Sequence, residues 1–199
     1  MTADHVHPIE IHGYAIVSDD DMIAAADGLT PVSLRNGKDW EYYQRAQARS
    51  ALIVFGRHSH EFEPNVRGEN RLVISQGAAG LEKRADAWWW NPAQTSWDIV
   101  AKMLPSGGEV AVCGGQGAFD LFLAIGYDAF HMSRAHGVLL PGGRSVFSAC
   151  KRGVSAEAVL ANAGLSVSET IPLDPEHGVE MKVWRRRAQA ALADSTAGQ

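Results

Sequence analysis

Cysteine is scarce in this 199-residue chain: Cys113 and Cys150 are the two, both within apolar stretches and with no CxxC pair. A disulfide framework and a cysteine-based zinc ribbon are excluded, and the expectation is two reduced thiols packed as small apolar side chains. No uninterrupted apolar run approaches the roughly 18 residues of a membrane span. The opening MTADHVHPIE has no basic segment leading into an apolar one, so no secretory signal is expected. Positive charge is also short. Lys and Arg number 18 against 23 Asp and Glu, a net charge of −5, which argues against nucleic acid as a partner. The one basic run, Lys182 to Arg187, reads as a solvated strand end. No Gly-Lys-Ser or Gly-Lys-Thr occurs, so a triphosphate-binding loop is excluded. What remains is a cytoplasmic globular protein of ordinary composition, 46% hydrophobic and 21% charged. With no repeat and no linker, residues 1–187 form one expected domain and 188–199 a frayed tail.

Within that domain, apolar runs and helical spacings alternate. Strands are expected at 9–17, 51–55, 71–75, 109–113, 129–134, 137–140, 165–173 and 179–186. ALIVF at 51–55 is the continuous apolar run of a strand covered on both faces. Helices are expected at 39–49, just after Gly56, from the Asn91-Pro92 cap to about Leu104, at 116–124, and from Ser155 to Gly164. The alternation specifies an α/β fold: a mostly parallel central sheet with helices on both faces and an antiparallel C-terminal edge.

Three of these strands end in residues suited to an anion. The first ends in Gly56-Arg57-His58-Ser59, the second in Ser75-Gln76, and the third in Gly114-Gly115-Gln116-Gly117. Ligands of open α/β sheets collect at the carboxyl ends of strands, where backbone N–H groups, hydroxyls and a guanidinium can hold phosphate. The glycine spacing is not GxGxxG, and no acid lies about 20 residues on, so a plain dinucleotide-binding Rossmann domain is not indicated. Taken alone, the Gly114-Gly115 pair could equally be a tight turn.

The order of the pieces resembles the dihydrofolate reductase superfamily, in particular the branch related to the C-terminal reductase domain of riboflavin-biosynthesis enzymes. The matching stretches are Tyr14-Ala-Ile-Val17, the helix from Asp39 to Ala48, Val54-Phe-Gly-Arg-His-Ser59 and Leu72-Val-Ile-Ser75. Val112-Cys-Gly-Gly-Gln-Gly-Ala-Phe-Asp120 and Val138-Leu-Leu-Pro-Gly-Gly-Arg-Ser-Val-Phe147 complete the set. The resemblance implies an NADPH-dependent reductase acting on a small molecule, a homodimer by the habit of that branch. It implies that Gly56, Arg57, His58 and Ser59 meet cofactor phosphates and that Ser75 and Gln76 face the adenosine ribose. Gly114, Gly115, Gln116, Gly117, Ala118 and Phe119 would wrap the pyrophosphate. Ala15 and Ile16 would bond the nicotinamide carboxamide through their backbone. Asp39 would be the substrate-binding acid, with Glu41 as a rival and a helix N-cap as the alternative role for Asp39.

Several positions depart from the family pattern. Gln76 stands where arginine often faces the 2′-phosphate, so NADH remains possible as cofactor. Phe119 stands where tyrosine is common, and Ala24 replaces a loop glycine. Basic residues for a ribosyl phosphate substrate are Arg35, Lys38 and Arg134. Trp88-Trp89-Trp90 is read as a helix cap with a hydrophobic staple, a subunit interface or a wall over adenine. His5-x-His7 and His58-x-His60 lack a third ligand at suitable spacing, so no metal is expected. Two function classes remain: a reductase delivering hydride to a pterin-like, pyrimidine-like or carbonyl substrate, or a nucleotide-binding module of the same fold without efficient turnover.

Overall fold

The computed structural model describes residues 9–104 and 108–186; the His5-x-His7 pair, Arg187 and the 188–199 tail lie outside them. The chain runs β1 (Ile9–Val17), β2 (Met22–Ala24), α1 (Gly37–Arg49), β3 (Leu52–Gly56), α2 (Arg57–Phe62), β4 (Arg71–Ile74), β5 (Leu81–Lys83) and β6 (Trp88–Trp90). It continues with α3 (Trp97–Ala101), β7 (Gly108–Val112), α4 (Gln116–Ile125), β8 (Ala129–Ala135), β9 (Arg144–Ser145), α5 (Ala156–Asn162), β10 (Leu165–Asp174) and β11 (Val179–Arg186).

One sheet takes nine strands in the order β10-β11-β8-β1-β7-β3-β4-β6-β5, and β2 pairs with β9 separately. Its centre, from β8 through β1, β7, β3 and β4 to β6, is parallel. The C-terminal edge β8-β11-β10 is antiparallel, as expected, and β5 adds an antiparallel strand at the far edge as well. β3 is buried along LIVF because helices cover both of its faces.

The two faces differ in chemistry. On one, α3, α4 and α5 bury Val100, Phe119, Phe122, Val159 and Leu160 against Ile11, Val54, Val110 and Phe130. Phe130 crosses so close to β1 that a Cβ on Gly13 would meet its ring at 2.3 Å, which leaves glycine as the residue that fits there.

The other face, under α1, is polar. The Tyr14 hydroxyl donates to Glu109 at 2.6 Å and accepts from Arg49 at 2.7 Å, and His12 stands 3.4 Å from the same carboxylate. Tyr14 stacks on His131 at 4.6 Å, and the Tyr42 hydroxyl meets His131 Nδ1 at 2.9 Å.

Some expected elements take other forms. The helix from Asn91 to Leu104 shrinks to α3. The Asn91 side chain accepts from Ala93 N–H and donates to the carbonyls of Gln76 and Ala78, so residues 91–95 turn instead of coiling. Trp88–Trp90 is neither a cap nor a staple but a strand beside β4. Trp89 and Trp90 are buried within the fold and Trp88 is half-buried. Residues 137–140 are not a strand. Asp19 and Asp20 accept from Gly137 and Leu140 N–H groups, and Val138 accepts from Asp19 N–H, so the acidic turn after β1 takes their bonds. His58 and His60 sit on α2, the helix expected just after Gly56, and no group of three ligating side chains occurs among the described residues. Both cysteines are free and half-buried, and no helix among the described residues is long and apolar enough to cross a membrane.

Burial pushes the Glu109 carboxyl up, but the hydrogen bonds from His12 and Tyr14 and the nearby Arg49 charge outweigh it and hold the group at about 2. A carboxyl depressed from 4.5 to about 2 contributes its full stability above pH 4.5 and loses it as the pH falls toward 2. Glu109→Gln is therefore expected to destabilise the fold by about 1–3 kcal/mol in urea unfolding near neutral pH. The gap from wild type should narrow as the pH is lowered through that window. A gap of constant size would assign the loss to shape and not to charge.

Candidate functional site

The site begins where two neighbouring strands part. The β1–β7 ladder ends at the Gly13–Val112 pair, while β8 stays paired with β1 as far as Val17. One edge of Tyr14–Val17 is thus left without a strand partner, and a cleft of about 1650 Å³ opens beside it. Ala15 and Ile16 line this cleft, so their backbone is positioned for a planar amide.

Beyond Val112 the chain leans towards β3. Cys113 N–H donates to the Val54 carbonyl at 2.9 Å and Gly56 N–H to the Gly114 carbonyl at 2.6 Å. Gly114 has φ of 111°, a region that favours glycine, and its peptide bond to Gly115 is cis. No side chain caps α4, so its first-turn N–H groups have no side-chain acceptor.

The glycines make a cradle. A Cβ on Gly115 would stand 3.4 Å from Ser59 Oγ, one on Gly56 3.5 Å from Gly115 N, and one on Gly117 would meet nothing within 4 Å. Side chains at 115 and 117 would therefore occupy open cleft and not displace the core. Bare backbone beside Ser59 suits the close approach of a pyrophosphate, so the residues present fit a nicotinamide dinucleotide.

Most expected site residues converge here, though not all with free side chains. Gly56, Arg57, His58, Ser59, Gln76 and Gly114 to Phe119 all line the cleft. Arg57 and His58 are exposed and both contact Glu61, at 2.9 Å and 3.2 Å. Ser75 lies in an adjoining hollow, its hydroxyl accepting from Gly77 N–H at 3.2 Å. The Gln116 amide is turned away to Ser145 at 2.6 Å. Phe119 is 1% exposed and packs against Phe130 and Phe147, so its ring serves mainly the core.

At the other end stands Asp39. Asn36 caps α1 by accepting from Lys38 and Asp39 N–H groups, so the N-cap role falls to Asn36 and the Asp39 carboxyl lines the cleft. Its rival Glu41 is exposed and outside the lining. Burial pushes the Asp39 carboxyl above its ordinary value, opposed by a hydrogen bond from Ser133. Tyr14, Tyr42, Tyr43 and His131 share this end, while Leu29, Trp40 and Phe62 form an apolar rim. Burial and the neighbouring His12 hold His131 down at about 3, so it is a neutral imidazole here. Of the basic candidates, Arg35 lines the cleft, but Arg134 is committed to the Ser18 carbonyl and Asp21, and Lys38 lies outside. Sequence reasoning missed Arg144, Lys151 and the aromatic floor, whose elements reach the cleft only through tertiary pairing.

Asp39 is expected to titrate above the ordinary carboxylate range when followed by NMR of the labelled carboxyl. Ser133→Ala should raise it further, because the lost hydrogen bond favours the charged form. A value in the ordinary range would mean that water reaches the carboxyl freely.

No protein-family model and no curated protein matches the sequence. Solved structures do. A dihydrofolate reductase from Enterococcus faecalis, complexed with NADP(H) and RAB-propyl, superposes with a TM-score of 0.63 at 12% identity, over 90% of this chain and 97% of that one. A protein named for riboflavin biosynthesis from Shewanella sp. PV-4 gives 0.59 at 16%, over 90% and 99%. A diaminohydroxyphosphoribosylaminopyrimidine deaminase/5-amino-6-(5-phosphoribosylamino)uracil reductase from Thermotoga maritima gives 0.58 at 14%, over 89% of this chain and 56% of that one. The sheet order, the parted strands and these three superpositions agree: the chain has the dihydrofolate reductase fold, shared with riboflavin-pathway reductases.

Proposed function

We propose that the protein is an NADPH-dependent reductase that reduces a small heteroaromatic or carbonyl substrate. One observation carries the reading: a single cleft joins the bare Gly114–Gly117 backbone to an acid with a raised affinity for its proton, Asp39. The reduced nicotinamide, when bound, supplies the hydride. The chain's own residues do the rest. The Gly114–Gly117 backbone and Ser59 hold the pyrophosphate, and the open edge at Ala15 and Ile16 orients the ring. Asp39 holds or gives the proton that the reduced product needs, and the apolar rim of Leu29, Trp40 and Phe62 keeps water from the reacting end. Arg134 and Lys38 are not available to a ribosyl phosphate substrate, while Arg35, Arg144 and Lys151 line the cleft.

The test is NADPH oxidation across pterins, flavins, pyrimidines and small carbonyls, paired with calorimetric binding. Asp39→Asn should leave NADPH affinity within about twofold and lower turnover at least tenfold, about 1.4 kcal/mol of transition-state stabilisation. Wild-type turnover should fall as the pH rises through the raised Asp39 value, because the protonated carboxyl is lost, and the variant should lack that limb. Gly115→Val should fold, since its side chain enters open cleft, yet lose dinucleotide binding. A fully binding Gly115→Val variant would reduce the glycine pair to a turn. Binding without turnover on every substrate would make the protein a nucleotide-binding module.

A further inference from the structure

A second carboxyl faces the cleft, and the reaction above does not use it. Glu63, the residue after α2, lines the cleft together with Phe62 at the end of that helix and with Trp40 and Tyr43 of α1. Its backbone is pinned on both sides: the Glu63 N–H donates to the Ser59 carbonyl at 3.0 Å, and its own carbonyl accepts from Arg71. The half-buried side chain turns towards α1, where Oε1 accepts from the Gln47 amide at 3.4 Å. Asp39, Tyr43 and Gln47 follow at four-residue spacing along one side of α1, so Gln47 stands about 12 Å along the axis from Asp39. The part of a ligand that meets Glu63 is therefore not the part held at Asp39.

Among the described residues this carboxyl has no ion pair, and its second oxygen accepts no hydrogen bond. Arg71 gives its charge to Glu69 at 2.8 Å and stacks over Phe55 at 4.5 Å, so it holds the Glu63 carbonyl and not the carboxyl. Arg57 and His58 pair with Glu61, Arg35 donates to the Thr30 carbonyl at 3.1 Å, and Arg144 lies against Gly28. Burial pushes the Glu63 carboxyl above its ordinary value and Glu69 adds to this, while the Gln47 hydrogen bond and the Arg71 and Arg67 charges oppose it. Tyr43 and Cys113 stand beside it and are neutral, since burial pushes the phenol up and the thiol to about 12. The aromatic side chains around it are open: Trp40 is 48% and Phe62 61% exposed, and Tyr43 lies 5.4 Å from the Trp40 ring. Exposed aromatic faces beside a carboxyl without a partner are a donor set that recognises a cation.

We infer that Glu63, with Trp40, Tyr43 and Phe62 about it, is a specificity-determining residue that selects a substrate carrying a protonated amine on an arm remote from the group at Asp39. This rests on the reductase reading above and narrows its substrate class. The ammonium donates to the free oxygen of Glu63, and the indole and phenyl faces add attraction to its charge. A neutral arm leaves the carboxyl without a partner, and an acidic arm meets a like charge.

The experiment is calorimetric binding of phenylbutylamine, phenylbutanol and phenylbutyrate to the full chain, with and without NADPH. Wild type is expected to bind the amine about tenfold more tightly than the alcohol, the scale of a hydrogen bond to a charged group, and the acid most weakly. Glu63→Gln should fold, since it breaks no ion pair, keep the alcohol within about twofold and lose the preference for the amine. Glu63→Asp should keep part of that preference. As the pH falls through the raised Glu63 value the carboxyl takes up its proton while the alkylammonium stays charged, so the gap between wild type and Glu63→Gln should close. Equal weakening of amine and alcohol in Glu63→Gln would make Glu63 a structural prop and overturn the inference. So would equal wild-type affinities for amine and alcohol, the acid binding best, or none of the three binding. Preference for the amine in a protein that neither binds nor oxidises NADPH would leave the selection standing and overturn the reductase reading. NADPH-dependent turnover with equal affinities for amine and alcohol would do the reverse.

Discussion

The parting of β1 from β7 after the Gly13–Val112 pair is the constraint on which the rest of the structure depends. A parallel sheet ordinarily consumes its backbone donors and acceptors in the ladder. Here β7 gives up that pairing and leans on β3, through the Gly56–Gly114 and Val54–Cys113 hydrogen bonds. The freed edge of β1 becomes one wall of the cleft, and the glycines of the turn become the other. α4 can then start inside the cleft while Phe119 and Phe122, on its far side, reach the core.

The two faces of the sheet divide the labour. The face under α3, α4 and α5 is apolar and aromatic, with Phe119, Phe130 and Phe147 in mutual contact, and gives the strand ends a firm base. The face under α1 carries Glu109, Tyr14, His12 and His131, and Arg49 reaches down from α1 to complete one polar floor. Such a floor is stable when its members satisfy one another, and costly when one is removed. Its members Tyr14 and His131 line the cleft together with Asp39, which is half-buried there. Burial raises the acid's proton affinity and a hydrogen bond from Ser133 opposes it.

Legibility in the sequence followed the range of the interactions. ALIVF at 51–55 and VAV at 110–112 declare buried parallel strands because burial on both faces demands an unbroken apolar run, and the structure has β3 and β7 there. The strand-end glycines and the Asp39 helix were readable because their order along the chain is itself the pattern. β2, β5 and β9 were not, since two or three residues carry no periodicity and their pairing is set by distant partners. Asn91-Pro92 misled for a different reason: the local signal for a helix start was genuine, but the Asn91 amide is spent on the loop after β4. Glu63 was invisible because only the packing of α2 against α1 turns its carboxyl to Gln47 and into the cleft.

The tryptophans have an optical consequence. Trp90 is enclosed and lies 5.8 Å from the half-buried Trp97, so its emission should report mainly on folding. Trp40 is different: it is 48% exposed at the rim of the cleft, on the same helix as Asp39. A molecule held in the cleft against that indole would change its solvent contact. The protein thus carries its own fluorophore at the mouth of its cleft, spectrally separable, by accessibility to a soluble quencher, from those that monitor its core.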